Sequence, residues 1–90
     1  MLVIIKVKGL ITMRFINAWY NMQNNSVEIN TYDGYILRID CLKAEEGITT
    51  TVWGQHYIDS LALDDPLKYA RLVLSGELQM WVDGHDSFET

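Results

Sequence analysis

Residues 26–41 carry the sequence SVEINTYDGYILRIDC, in which two apolar-polar alternating runs flank an Asp-Gly turn signal. Alternation with a period of two predicts half-buried strands. A two-residue loop would place Ile29 opposite Arg38 and mix the apolar and polar faces of the hairpin. A three-residue loop places Ile29 opposite Leu37 and keeps the apolar residues together. We therefore expect a bulged three-residue loop with Gly34 in the left-handed conformation.

The segment before this hairpin predicts a further strand over residues 13–22. A loop of Asn24-Asn25 would place Tyr20 opposite Ile29 and continue the same apolar face. The predicted core face of the meander consists of Ile16, Ala18, Tyr20, Met22, Val27, Ile29, Tyr35, Leu37, Ile39 and Cys41. Phe15 and Trp19 fall on the opposite face. Either a terminal segment covers this aromatic pair, or the pair is exposed and forms an interface.

The second half of the chain predicts helices. Asp64-Asp65-Pro66 is a strong helix start and predicts a helix over 66–75 that stops at Gly76. Residues 52–63 predict a helix beginning near Gln55, although residues 49–53 also fit a strand. Residues 77–82 predict a last short helix or an edge strand.

Together these elements predict one α+β domain, an antiparallel β-meander of three to four strands packed against two or three short helices. Ninety residues support one modest core. The meander is expected over 13–42, the helical half over 43–82 and a frayed tail over 83–90. Residues 1–12 are expected to be an N-terminal extension or an edge strand.

The charge is concentrated in the second half. The chain has a formal net charge of -5, and residues 44–90 hold nine acids against two bases. This excess of acid argues against non-specific nucleic-acid binding. One interpretation is that the acids maintain solubility; the other is an acidic surface that docks on a basic protein. The candidate docking acids are Glu45, Glu46, Asp59, Glu77 and Asp83.

Few residues suit chemistry, and we expect a protein that is not an enzyme. The sequence contains no glycine-rich phosphate loop, no nucleophile elbow and no zinc-protease histidine pair. A single cysteine excludes a disulfide framework and a four-thiolate zinc site. Zinc remains an alternative through tertiary assembly of the weak candidates Cys41, His56, Asp40 and Asp59. With no membrane-spanning or signal segment predicted, we expect a cytoplasmic protein.

One run of residues adds a resemblance. Pro66-x-x-Tyr69-Ala70, followed by Leu72-x-Leu74-x-Gly76, resembles a family of short uncharacterised proteins from Gram-positive gut bacteria and their mobile elements. The resemblance covers residues 13–76, and supporting matches are Ala18-Trp19-Tyr20, Val27-Glu28-Ile29, Gly34 and Ile39-Asp40-Cys41. Because the family has no established activity, it implies no catalytic residue.

The resemblance implies a context rather than a chemistry. Small proteins of mobile elements often inhibit host defence, so it suggests an anti-CRISPR protein that binds a Cas9-type nuclease through its acidic surface. The alternatives are a zinc-stabilised small domain and an accessory domain that dimerises through Phe15 and Trp19. A monomer and a homodimer are both compatible with the sequence.

Overall fold

The computed structural model describes residues 15–32 and 34–86, so the expectation for residues 1–12 lies outside the described part. Three strands form one antiparallel sheet in the order β1-β2-β3, and four helices follow. This architecture confirms the predicted α+β class. The strands are β1 (Phe15–Asn21), β2 (Ser26–Thr31) and β3 (Ile36–Asp40), and the helices are α1 (Cys41–Ala44), α2 (Val52–Asp64), α3 (Pro66–Ser75) and α4 (Leu78–Asp86).

The β2–β3 hairpin has the predicted register. Ile29 pairs with Leu37, and the apolar side chains of the two strands share a face. Gly34 has a φ of +88° and its N–H donates to the Thr31 carbonyl at 3.2 Å. The expected left-handed glycine is therefore confirmed. Tyr35, expected on the core face, is instead 65% exposed because it precedes β3.

The β1–β2 hairpin has a longer loop than expected. Tyr20 pairs with Val27 rather than Ile29, so residues 22–25 form a four-residue loop. The register differs from the expected one by two residues, and a shift of two keeps every side chain on its face. Met22 was expected in the core and is 77% exposed, because it lies in this loop.

A bulge at the start of β1 reverses the predicted faces of two residues. Phe15 pairs with Thr31, but the next pair joins Asn17 to Asn30, so Ile16 has no partner across the sheet. Phe15 consequently packs against the core, and Ile16 is 53% exposed. Trp19 stays on the other face. The expected pair of Phe15 and Trp19 on one face is therefore wrong, since alternation alone cannot reveal a bulge.

Side-chain caps determine where the helices begin. Helix α3 begins at Pro66, and the side chain of the preceding Asp65 accepts a hydrogen bond from the Lys68 N–H. Gly76, with a φ of +78°, caps the C-terminus of α3, as predicted. Helix α2 begins at Val52, earlier than expected, because the Thr51 hydroxyl accepts from the Gly54 N–H at 3.1 Å.

Two further helical segments differ from the expectation. Asp40 caps the short helix α1, which the sequence did not predict, by accepting from the N–H groups of Leu42 and Lys43. Helix α4 continues through Asp86, past the expected limit at Val82 and into the segment expected to be frayed.

The core lies between the sheet and the helices. Helix α3 packs against β1 and β2, and α2 packs against both α3 and α4. Cys41 is buried, as expected from its place on the core face. The largest fully buried apolar side chains are Val27, Ile29 and Ile39 from the sheet, and Ile58, Tyr69 and Val82 from the helices.

Candidate functional site

A cleft of about 420 Å³ opens where the β1–β2 turn meets α1 and α2. We name it the Glu45 cleft. It combines polar and acidic side chains with the exposed apolar side chains of Met22 and Leu63. The remaining lining residues are Tyr20, Asn25, Cys41, Glu45, Asp59 and Ala62. This is the size of a small-ligand site, within the roughly 300–1,000 Å³ of such pockets.

Two carboxylates in this cleft are joined by an amide. Gln55 Nε2 lies 2.9 Å from Glu45 Oε1 and 2.9 Å from Asp59 Oδ1, and donates to both. The hydroxyl of Tyr69 donates to Glu45 Oε2 at 2.6 Å. Each oxygen of Glu45 thus accepts a hydrogen bond, which fixes the orientation of this half-buried carboxylate.

The β1–β2 turn is tied to the start of α1. Asn25 has a φ of +49°, and its carbonyl accepts from the Cys41 N–H at 3.0 Å. Its side-chain Oδ1 accepts from the Tyr20 hydroxyl at 2.7 Å. Asn tolerates the left-handed region better than most residues, so this turn can hold both contacts. The wall of the cleft formed by the turn is therefore fixed by these two hydrogen bonds.

The thiol of Cys41 stays protonated at neutral pH. Burial, with smaller contributions from the negative charges of Glu45 and Asp40, raises the pKa of Cys41 to about 11, although the neighbouring Tyr69 hydroxyl acts in the opposite direction. Burial and the bond to Glu45 also raise the pKa of Tyr69 well above its ordinary value. Because the thiolate is the nucleophilic form of cysteine, Cys41 is poorly suited to act as a nucleophile.

The structure brings two of the four weak zinc candidates to one cleft and leaves the other two outside its lining. Cys41 and Asp59 line the Glu45 cleft, but Asp40 caps α1, and His56 is exposed with its ring beside Trp53. Within residues 15–32 and 34–86 there is no group of three or more His, Cys, Asp or Glu side chains placed to hold a metal ion.

The predicted docking acids occupy different environments. Glu46, Asp59, Glu77 and Asp83 are exposed, whereas Glu45 is half-buried and hydrogen-bonded. Glu77 accepts from the Ser75 hydroxyl, and Asp83 accepts from Gln79. The structure therefore brings Glu45 and Asp59 to one cleft, while Glu77 and Asp83 lie outside its lining.

A second carboxylate network lies on the outer face of the sheet. Glu28 is 7% exposed and accepts from Trp19 Nε1, Asn21 Nδ2 and Arg38 Nε, each at 3.1 Å. Trp19, named as a candidate contact residue, is 37% exposed and holds this carboxylate with its indole N–H. Glu28 and Arg38 form an ion pair, and no other ion pair is found between residues that the structure describes.

Sequence reasoning missed Tyr69, Gln55 and the burial of Glu28. A signal for Tyr69 was present, because Tyr69 lies beside the inward-facing Ala70 and four residues before Val73 on the same helix. A local signal for Gln55 was its i, i+4 spacing to Asp59 on α2, whereas its contact with Glu45 depends on tertiary packing.

These features define a small α+β domain with an acidic cleft beside a three-stranded sheet. The chain belongs to the DUF6061 family, a family of unknown function whose sequence profile matches residues 13–89. No curated protein and no solved structure shows a significant match. Within the described part of the chain, no helix has the length and apolar character needed to span a bilayer.

Proposed function

We propose that the chain is a non-enzymatic protein-binding module of the cytoplasm that docks on a basic partner through the acids of its helical half. The observation that carries this proposal is the lack of internal neutralisation. Seven acids lie between Glu45 and Asp83, against two bases, Lys68 and Arg71. The ion pair within the described part of the chain lies in the sheet, so none of those seven acids has a described basic side chain within 4 Å.

Uncompensated surface acid favours a partner with the opposite charge. Complementary charges steer two proteins together and penalise partners of like charge. At 0.1 M salt, the attraction between exposed charges is largely screened beyond about 10 Å. The Glu45 cleft gives this surface a recessed point of contact, where Met22 and Leu63 add apolar area beside the carboxylates.

A Cas9-type nuclease is the first partner to test. Nucleases of this kind hold their nucleic acids in a positively charged channel, which is the kind of surface an acidic module fits. The motivation is the resemblance of residues 13–76 to proteins of mobile elements, where inhibitors of host defence are common. We therefore extend the proposal to inhibition of guide-loaded Cas9 by direct binding.

The test is capture of partners by the immobilised protein from a bacterial lysate at low and high salt. Glu46→Lys and Asp59→Lys, made one at a time, each change the net charge by two and lie at exposed positions. We expect each to weaken binding by roughly tenfold, about 1.4 kcal/mol. Glu45 is left intact, because its reversal would break the bonds from Tyr69 and Gln55.

The charge-matched control is the double variant Tyr32→Lys/Tyr35→Lys, which makes the same change in net charge on the exposed β2–β3 turn, outside the lining of the Glu45 cleft. We expect it to bind as the unaltered protein does. Equal loss in the control, or capture that does not weaken as salt rises, would show that the acidic surface is not the docking site. A DNA-cleavage assay with purified, guide-loaded Cas9 tests the identity of the partner. Undiminished cleavage at a saturating concentration of the protein would reject Cas9 as the inhibited partner and retain the proposal of a protein-binding module.

A further inference from the structure

A second cleft, of about 250 Å³, lies between α2, the start of α3 and α4. We name it the Trp81 cleft. Its walls combine three aromatic rings with two carboxylates, and none of its lining residues is lysine or arginine. The lining residues are Tyr57, Ser60, Leu61, Asp64, Asp65, Trp81 and His85.

The three rings form one wall of this cleft. The ring centroid of His85 lies 4.0 Å from that of Trp81 and 5.7 Å from that of Tyr57. The Nδ1 atom of His85 lies 3.0 Å from the Trp81 carbonyl oxygen, one helical turn earlier. This contact fixes the imidazole beside the two larger rings.

The carboxylates lie at the junction of α2 and α3. Asp65 is committed to the cap of α3, where its Oδ1 accepts from the Lys68 N–H. Asp64 is exposed and ends α2. The cleft therefore places two carboxylates beside three aromatic rings, and both kinds of group attract a cation.

We propose that the Trp81 cleft binds the ammonium or guanidinium group of a basic side chain presented by the partner. The proposal rests on the basic partner proposed above and adds a site to it. An anionic group would meet two carboxylates and be repelled. The cleft is smaller than the roughly 300–1,000 Å³ of drug-sized sites, which suits one side chain rather than a whole small molecule.

The test uses model side chains instead of the partner. The full chain is titrated by NMR with Nα-acetyl-lysine amide and Nα-acetyl-arginine amide, following the Trp81 indole and His85 imidazole resonances. Nα-acetyl-norleucine amide, which has an apolar side chain and no charge, is the ligand control. We expect saturable shifts with at least one of the two charged amides, and no saturable shift with norleucine amide at the same concentrations.

Two variants localise the effect. Asp64→Asn removes one charge and leaves the Asp65 cap intact, and we expect it to weaken binding at least threefold. Asp59→Asn removes a charge from the Glu45 cleft and should leave the Trp81 and His85 shifts unchanged. Equal binding of norleucine amide, no saturable shift with either charged amide, or unchanged affinity in Asp64→Asn would each overturn the proposal.

The titration tests the cation site and the lysate capture tests the docking function, so either proposal can be rejected without the other. A positive titration with no captured partner would retain the cation site and reject the proposed docking function. Capture without any side-chain titration would retain the docking function and reject this cleft as its contact point.

Discussion

The hydroxyl of Tyr69 donates to Oε2 of Glu45 across 2.6 Å, joining α3 to the residue that caps the C-terminus of α1. A distance this short is typical of a hydroxyl bonded to a charged carboxylate. Tyr69 is fully buried, so its hydroxyl depends on Glu45 for a partner. The same carboxylate accepts from Gln55 and faces the cleft, which makes Glu45 a residue of both the fold and the candidate site.

Tyr69→Phe removes this hydrogen bond and keeps the ring. We expect the free energy of unfolding to fall by about 1.5–3 kcal/mol, the usual loss for a hydrogen bond to a charged group. Urea unfolding followed by circular dichroism measures the change. Tyr35→Phe is the control, because Tyr35 is exposed and should shift stability by less than about 0.5 kcal/mol. Equal stability of the two variants would contradict the role given to the Tyr69 hydroxyl.

Alkaline pH should destabilise the protein through Cys41. Its pKa is raised from an ordinary 9.0 to about 11, so the unfolded chain loses the thiol proton at a lower pH than the folded chain. Stability from this group is therefore fully present below pH 9 and is lost as the pH rises to about 11, by about 1.4 kcal/mol per pH unit. Tyr69 acts in the same direction at higher pH.

The measurement is urea unfolding at several pH values between 8 and 11 for the unaltered protein and for Cys41→Ala. The variant starts from a lower stability, because it leaves a small cavity in the core. Up to about pH 10, the free energy of unfolding of Cys41→Ala should nevertheless fall less with pH than that of the unaltered protein, because the variant lacks the thiol. Tyr69 contributes to both proteins only at higher pH. Parallel curves for the two proteins would contradict the assignment.

Two glycines in helices should respond in opposite directions to alanine. A Cβ on Gly54 would collide with Thr50 Oγ1 and lie 3.1 Å from Val82 Cγ2, whereas a Cβ on Gly84 would have no heavy atom within 4 Å. We expect Gly54→Ala to lower stability by about 1–3 kcal/mol through overpacking. Gly84→Ala should raise it by about 0.5–1 kcal/mol, because alanine favours a helix. Thermal melts of the two variants, compared with the unaltered chain, check both signs.

The Glu28 network predicts that a nearly isosteric substitution of Glu28 lowers the free energy of unfolding. Glu28→Gln replaces one acceptor oxygen with an NH₂ group and removes the charge that pairs with Arg38. Donors on Trp19, Asn21 and Arg38 then compete for one oxygen, and we expect a loss of about 1–3 kcal/mol. Urea unfolding followed by circular dichroism measures the change. Glu46→Gln, at an exposed position, should be nearly neutral, and a similar loss there would point to net charge instead of the network.

The predictable parts of the fold are those that depend on interactions between residues close together in the sequence. Asp65, Pro66 and Gly76 fix both ends of α3 through local backbone preferences, and Gly34 fixes the β2–β3 turn in the same way. The bulge at Ile16 was not predictable, because alternation shows which residues are apolar but not where one residue is inserted. One inserted residue was enough to exchange the environments of Phe15 and Ile16.

The candidate site was only partly predictable for a related reason. Glu45 and Asp59 were identified from charge, but their connection runs through Gln55 and Tyr69, which come from α2 and α3. The i, i+4 spacing of Gln55 and Asp59 encodes one of these contacts, whereas the contacts of Gln55 and Tyr69 with Glu45 depend on how the helices pack. The Trp81 cleft likewise depends on α4 extending as far as His85, which had been expected to lie in a frayed tail.

The order of the strands has a consequence for how the chain folds during synthesis. Each strand pairs with its neighbour in sequence through a loop of about four residues, and closing such short loops costs little chain entropy. All three strands leave the ribosome before α3, which packs on β1 and β2. At roughly 5–20 residues per second, the apolar sheet face carrying Val27 and Ile29 stays uncovered for a few seconds. A nascent chain stalled in that interval would display this face to chaperones and to other nascent chains.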